Sequence, residues 1–211
     1  TDEYQQMMDT EIADERDAKE RTVDSIYTKV NPYGTNTTSL YVYFTTDDAV
    51  AVSYTVHADG YTDFTRDAYQ ESQYSKTHEF QLLGLIPGEK NTVAITLTDA
   101  DGKSRTHAIE HRGASLLGNE EVQLEKTVAA DSGEDLGGGL YAILGNDSNE
   151  QDFMYYYDAN GVIRGEIPVL YYRSHRLLFD NDGIMWFSAS TKHFVGMNRL
   201  GKLVKIINLG D

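Results

Sequence analysis

Two copies of one pattern fill the last third of the chain. Met154-Tyr-Tyr-Tyr-Asp-Ala-Asn-Gly161-Val-Ile163 aligns with Phe194-Val-Gly-Met-Asn-Arg-Leu-Gly201-Lys-Leu203 at an offset of about 40 residues, and Ile167 then meets Ile207. Upstream, Gly139-Leu-Tyr-Ala-Ile-Leu144 aligns with Gly183-Ile-Met-Trp-Phe-Ser188 at a slightly larger offset, so the loop between differs in length. Each copy reads as strand, loop, strand, a turn headed by Asp or Asn and closed by Gly, then strand. A period of about 40–45 residues with several strands per copy marks a β-propeller blade. One blade cannot cover both its faces, so neighbours must stack on it. Closed propellers use about four to eight blades, and this chain has room for about two. It is therefore expected to be a portion of a longer protein, or to complete its faces by oligomerising. The competing reading is a single antiparallel sheet whose hairpins are alike by chance.

The front half has a different texture. Residues 1–25 lack Gly and Pro and crowd Asp and Glu around Arg16, Lys19 and Arg21, with Met8 and Ile12 at helical spacing. A short helix with a thin apolar stripe is expected, packed on a neighbour or frayed in solvent. From Ile26 the period becomes two. Leu40-Tyr-Val-Tyr-Phe44 is aromatic and β-branched, and Val50, Val52, Tyr54 and Val56 alternate. Asp47-Asp48 between these runs reads as a turn. Val93, Ile95 and Leu97 alternate again, Asp99-Ala-Asp-Gly102 reads as a hairpin loop, and a strand continues from Thr106 to Ile109. Short strands so spaced, without helices between, predict an immunoglobulin- or fibronectin-III-like sandwich over residues 26–115. Residues 116–211 would be propeller blades, with Leu116-Leu-Gly118 and Val122-Gln-Leu124 as candidate short strands and Asp131–Gly139 as a loop. The fold class is all-β with one short N-terminal helix.

Charge and composition exclude more than they assign. With 34 acidic and 18 basic residues the formal charge is -16, so phosphate backbones and anionic membrane surfaces are disfavoured partners. No run approaches the roughly 18 apolar residues of a membrane span. The chain has no cysteine, which excludes disulfides, thiolate metal sites and thiol catalysis. Starting Thr1-Asp2-Glu3 without Met suggests a trimmed segment, such as one left after removal of a signal peptide. The triple Gly at 137–139 is not followed by a GKS or GKT, and its surroundings are acidic, so it does not read as a phosphate loop.

Three stretches carry a family resemblance: Val30-Asn-Pro-Tyr-Gly34 followed by Leu40-Tyr-Val-Tyr-Phe44; Tyr155-Tyr-Tyr-Asp-Ala-Asn-Gly-Val-Ile-Arg-Gly-Glu-Ile-Pro168; and Arg176-Leu-Leu-Phe-Asp-Asn-Asp-Gly-Ile-Met-Trp186 with Asn198-Arg-Leu-Gly-Lys-Leu-Val204. Together they resemble the N-terminal part of a bacterial arylsulfate sulfotransferase, a small sandwich ahead of a six-bladed propeller. Leu85-Ile-Pro-Gly-Glu-Lys-Asn-Thr-Val-Ala-Ile95 also resembles the corner of fibronectin-III-like domains, with Asn91 where those carry Tyr. The tyrosine-corner hydrogen bond is thus missing or replaced.

The resemblance implies a secreted or periplasmic protein that moves a sulfuryl group from a phenolic sulfate ester to another phenol, without a nucleotide donor. A propeller His attacks sulfur and holds it as sulfohistidine, while further His, Arg and Asn bind the sulfate oxygens. Those histidines lie in settings such as S-H-D and H-x-x-N, which residues 1–211 do not contain. The expectation is a non-catalytic segment with no catalytic, cofactor or metal residue of its own. Its expected partners are the rest of the propeller or a second copy of the chain, with the phenolic sulfate binding only in the full-length protein. The alternative is a cell-surface module that binds glycan or protein.

Six histidines invite scrutiny. His107 and His111 share a strand face about 13 Å apart, too far for one metal ion. His57, His78 and His193 read as surface strand or loop residues. His175, between Arg173 and Arg176, could meet sulfate, but an ordinary loop histidine beside solvated arginines is the expected reading. Asp180-Asn-Asp-Gly183 with Trp186 shares only its Gly and Trp spacing with the sialidase Asp-box. It is a plain turn or a Ca²⁺ loop. Tyr155–Tyr157 and Tyr171–Tyr172 are either strand packing or an aromatic platform.

Overall fold

The computed structural model describes residues 1–125, 136–144, 152–169 and 176–210. Among these residues one helix, α1 (Asp2–Asp17), precedes thirteen strands. The first six are β1 (Tyr27–Val30), β2 (Leu40–His57), β3 (Phe64–Asp67), β4 (Ser75–Leu82), β5 (Lys90–Thr98) and β6 (Ser104–Arg112).

The long β2 organises this front half. Its first part pairs with β1 and β4, from Val30↔Leu40 and Leu40↔Leu82 onward. Its second part pairs with β3 and β5, and β5 pairs with β6. Leu40, Val42 and Phe44 from one half, and Val50, Val52, Tyr54 and Val56 from the other, enter the same core with Phe80, Leu82, Val93, Ile95 and Leu97. The turn expected at Asp47-Asp48 is therefore corrected: the backbone stays in one strand, and its register with β4 shifts between Thr45 and Val50. A bulge is enough to keep two aspartates in water while both flanking runs stay buried. Thr46 Oγ1 donates to the Asp48 carbonyl across it (2.8 Å). The Asp99–Gly102 hairpin forms as expected, and its second strand is longer than expected, running over Ser104–Arg112.

The back half holds two antiparallel meanders. β7 (Tyr141–Ile143), β8 (Asp152–Tyr157) and β9 (Ile163–Val169) make one sheet. β10 (Leu177–Phe179), β11 (Met185–Ser188), β12 (His193–Met197) and β13 (Leu203–Asn208) make the other, in chain order. The repeat holds in detail. The register shifts between Tyr156 and Tyr157 in one sheet and between Gly196 and Met197 in the other, at matching positions. Leu116–Gly118 is not a strand, and the 122–124 segment contributes only a bridge between Gln123 and Val162. Met154, Ile167 and Val169 from the first sheet close a common core with Met185, Phe187, Val195 and Met197 from the second.

Candidate functional site

Three buried charged residues, Asp158, Arg164 and Glu166, gather where the first meander meets the front half, while buried Asp152 stands apart at the start of β8. Arg164 on β9 is 1% exposed. Its Nε donates to Asp158 Oδ2 (2.8 Å), and its two terminal nitrogens donate to the carbonyls of Gly84 (2.8 Å) and Thr62. The guanidinium also lies 5.5 Å from the centre of the Phe64 ring. Two residues on, Glu166 is fully buried. Its carboxylate accepts hydrogen bonds from Thr37 Oγ1 (2.7 Å) and from the backbone N–H groups of Leu117 (2.9 Å) and Gly118 (3.0 Å). The Thr37 N–H donates to the Glu166 carbonyl (2.8 Å), and Thr38 Oγ1 donates to the Arg164 carbonyl (3.3 Å). The β1–β2 loop thus binds along β9. Every donor and acceptor here is met by protein, so the cluster fastens two parts together and leaves no group aimed at a ligand. The signal was in the sequence: two opposite charges two residues apart inside an apolar strand must be paired when buried.

The turns share one construction. In Asp158–Gly161, Asp180–Gly183 and Asn198–Gly201, Oδ1 of the first residue accepts from the N–H groups two and four residues on. Asp99–Gly102 is built the same way. The Asp180 carboxylate is fully engaged, because Oδ2 accepts the Trp186 indole N–H (2.9 Å), and these bonds hold it below the usual carboxylate range. That segment is a plain turn. Tyr155 and Tyr157 are buried, edge to face, at 6.4 Å, as strand packing requires. Tyr171, Tyr172, Arg173 and His175 lie outside the described residues.

The remaining histidines do not converge. His57 is exposed between Asp63 (2.7 Å) and Asp59 (3.5 Å), and the Asp63 carboxylate raises its pKa. His193 pairs with Ser190 (2.8 Å). His107 and His111 line a cleft of about 230 Å³ between β6 and the Val23–Thr28 segment, and burial lowers His111. His78 is a correction. It is 1% exposed, tilted on Phe44 at 4.7 Å, and held between Gln70 (2.7 Å) and Thr46 (2.9 Å). Desolvation takes its pKa down to about 4. Alternation places residue 78 in phase with Phe80 and Leu82, and that phase could have marked it as inward. A second, smaller cleft of about 160 Å³ lies beside Thr62–Thr65 and Asp158–Asn160. Among the described residues, no group of three or more His, Asp or Glu is arranged to hold a metal ion.

The expected corner is replaced rather than lost. Asn91 is fully buried, its Oδ1 accepts from the Ile86 N–H (2.8 Å), and its Nδ2 donates to the carbonyls of Ile86 (3.1 Å) and Glu89 (3.0 Å). Among the described residues no helix is long and apolar enough to cross a membrane.

Comparison with known families agrees with this architecture. The model of the arylsulfotransferase Ig-like domain matches residues 27–113, which span β1–β6. The arylsulfotransferase model matches residues 125–211, which hold both meanders. No curated protein matches the chain. With an Ig-like domain and a following domain that both match models of one enzyme family, in that order and over most of its length, the chain belongs to the arylsulfate sulfotransferase-like proteins.

Proposed function

We propose that this chain is the scaffold-forming, non-catalytic front part of an extracytoplasmic sulfuryl transferase. In the whole protein, a histidine nitrogen attacks the sulfur of a phenolic sulfate ester. An N–S bond forms as the S–O bond to the leaving phenolate breaks. The oxygen of a second phenol then attacks the sulfur, forming an S–O bond as the N–S bond breaks and frees the histidine, its proton passing to a base. The family assignment supports the chemistry. The scaffold role is supported by the state of the described histidines: His57, His78 and His193 are each hydrogen-bonded to different neighbours, His107 and His111 line a cleft with Glu110 and Asp24, and none faces a cluster of cationic donors.

The two meanders are read as the opening blades of a propeller, supported by their matched bulges and turns. Side chains left exposed on β10 and β13, such as Leu178, Phe179, Ile206 and Ile207, are then surfaces for further blades. The Ig-like domain binds β9 through Asn36–Thr38 and receives the 198–201 turn of the second sheet, where Thr35 Oγ1 donates to the Gly201 carbonyl. It would fix the angle between these blades. The test is turnover: the 211-residue chain is incubated with a phenolic sulfate donor and a phenol acceptor, and phenol release is followed. No release above buffer is expected. Release would overturn the scaffold role and leave the family assignment standing.

A further inference from the structure

Helix α1 makes an unusual contact. The side-chain amide of Gln5 donates to the Leu203 carbonyl (2.8 Å) and accepts from the Leu203 N–H (2.8 Å). Gln5 is 4% exposed. Leu203 opens β13, the last strand of its sheet, and no strand among the described residues pairs with its outer side. A primary amide joined to both backbone groups of one residue reproduces the donor and acceptor that a facing residue of a neighbouring strand would offer.

The rest of α1 is suited to that position. Its acidic residues outnumber Arg16 seven to one, whereas no Asp or Glu occurs between Ile184 and Gly210, a stretch holding Lys192, Arg199, Lys202 and Lys205. Asp9 pairs with Lys202 and also accepts from Tyr33 OH (2.8 Å). Ile12 packs on Tyr27 and Tyr41, with Leu200 beside them. Glu11 and Glu15 share Lys29, at 2.6 and 3.2 Å.

β13 is the strand that most needs covering. Leu203-Val-Lys-Ile-Ile-Asn208 is rich in β-branched residues and has no Pro and no acidic residue, and Val204, Ile206 and Ile207 are 43–46% exposed. Such a segment at an open edge is a template for another chain. In antiparallel self-pairing centred on Ile206, each Lys205 faces Ile207 of the other copy, so like charges are not opposed.

We propose that α1 is an edge guard: the Gln5 amide stands in for a strand at the start of β13, and displacing it opens that edge to β13 of a second copy. The guarded surface is the hydrogen-bonding edge of the strand, distinct from the sheet faces assigned above to further blades. Those faces are equally open in the parent chain and in Gln5→Met, so a difference between these two reads the edge alone.

The experiment compares the 211-residue chain with Gln5→Met, which keeps side-chain volume and removes both hydrogen bonds, and with Gln5→Met/Ile206→Lys, which sets lysine opposite lysine at the centre of the proposed pairing. Sedimentation velocity measures association, and hydrogen exchange follows the Leu203 amide, with β5 amides as the control for an intact fold. Gln5→Met is expected to free the Leu203 amide and strengthen self-association about tenfold, and the added Ile206→Lys should reverse it. The proposal is overturned if Leu203 stays protected in Gln5→Met. It is equally overturned if Leu203 is freed with no change in sedimentation, or if association appears and Ile206→Lys leaves it intact.

Discussion

Arg164 and Asp158 form an ion pair (Nε to Oδ2, 2.8 Å) across one hairpin, with 1% and 7% of their side chains exposed. The same guanidinium reaches back to the Gly84 and Thr62 carbonyls of the Ig-like domain. A tight turn in the back half and two loops of the front half therefore share one cation.

Removing that cation should be severe. Arg164→Ala leaves a buried carboxylate and two carbonyls unpaired, a loss on the order of 3–5 kcal/mol. Asp158→Asn keeps the turn acceptor and should cost less. Urea unfolding of both variants and the double variant checks this: the double loss should fall well short of the sum of the single ones. Additivity would show that the pair is not a unit.

Asn91 carries three hydrogen bonds to the Ile86–Glu89 turn. Asn91→Ala should lower stability by about 2–3 kcal/mol, because the buried Ile86 N–H loses its partner. A thermal midpoint unchanged within a degree or so would contradict the corner role.

Two glycines should differ in how well they tolerate a side chain. A Cβ on Gly113 would lie 2.1 Å from the Ile86 carbonyl oxygen, which is backbone and cannot swing aside. A Cβ on Gly34 meets nothing within 4 Å, so alanine there bears only the strain of φ +70°. Gly113→Ala is expected to lose several kcal/mol and Gly34→Ala roughly 1 kcal/mol. Equilibrium denaturation of the two variants ranks them directly.

His78 gives the fold a pH dependence of defined sign. Its folded pKa is lowered from 6.5 to about 4 by burial. Between those values the unfolded chain takes up a proton that the folded chain refuses, so stability falls as pH drops through that window and is flat above it. By pH 4.5 the contribution lost is on the order of 2 kcal/mol. His78→Gln should flatten that part of the profile relative to the parent chain. Parallel slopes from pH 7 to 4.5 would rule out this histidine as the source.

What could be read from the sequence followed its periodicities. Alternation at Val50–Val56 and Val93–Leu97 identified inward residues, and the repeat identified turns whose bulges and hydrogen bonds match. Asp47-Asp48 misled because two exposed aspartates satisfy a bulge as well as a turn, and only the partner strands decide between them. His78 misled because polarity was weighed above phase. Asn91 was seen as a departure from tyrosine, yet its substitute bonding depends on a backbone that only the folded corner supplies. Arg164 and Glu166 were visible only as part of a motif. Apart from Asp158, six positions before Arg164, their partners lie about 50 to 130 positions away in sequence, beyond the reach of any local pattern.

The repeated hairpin turn has a consequence for how such a chain can vary. One oxygen of its leading residue shapes the bend, and where that residue is aspartate the second oxygen is spare. At Asp158 the spare oxygen holds an arginine six positions on, and at Asp180 it holds an indole at the same remove. Bend and tether are separable, so one substitution at that sixth position can reattach a hairpin to a different neighbour without disturbing its geometry.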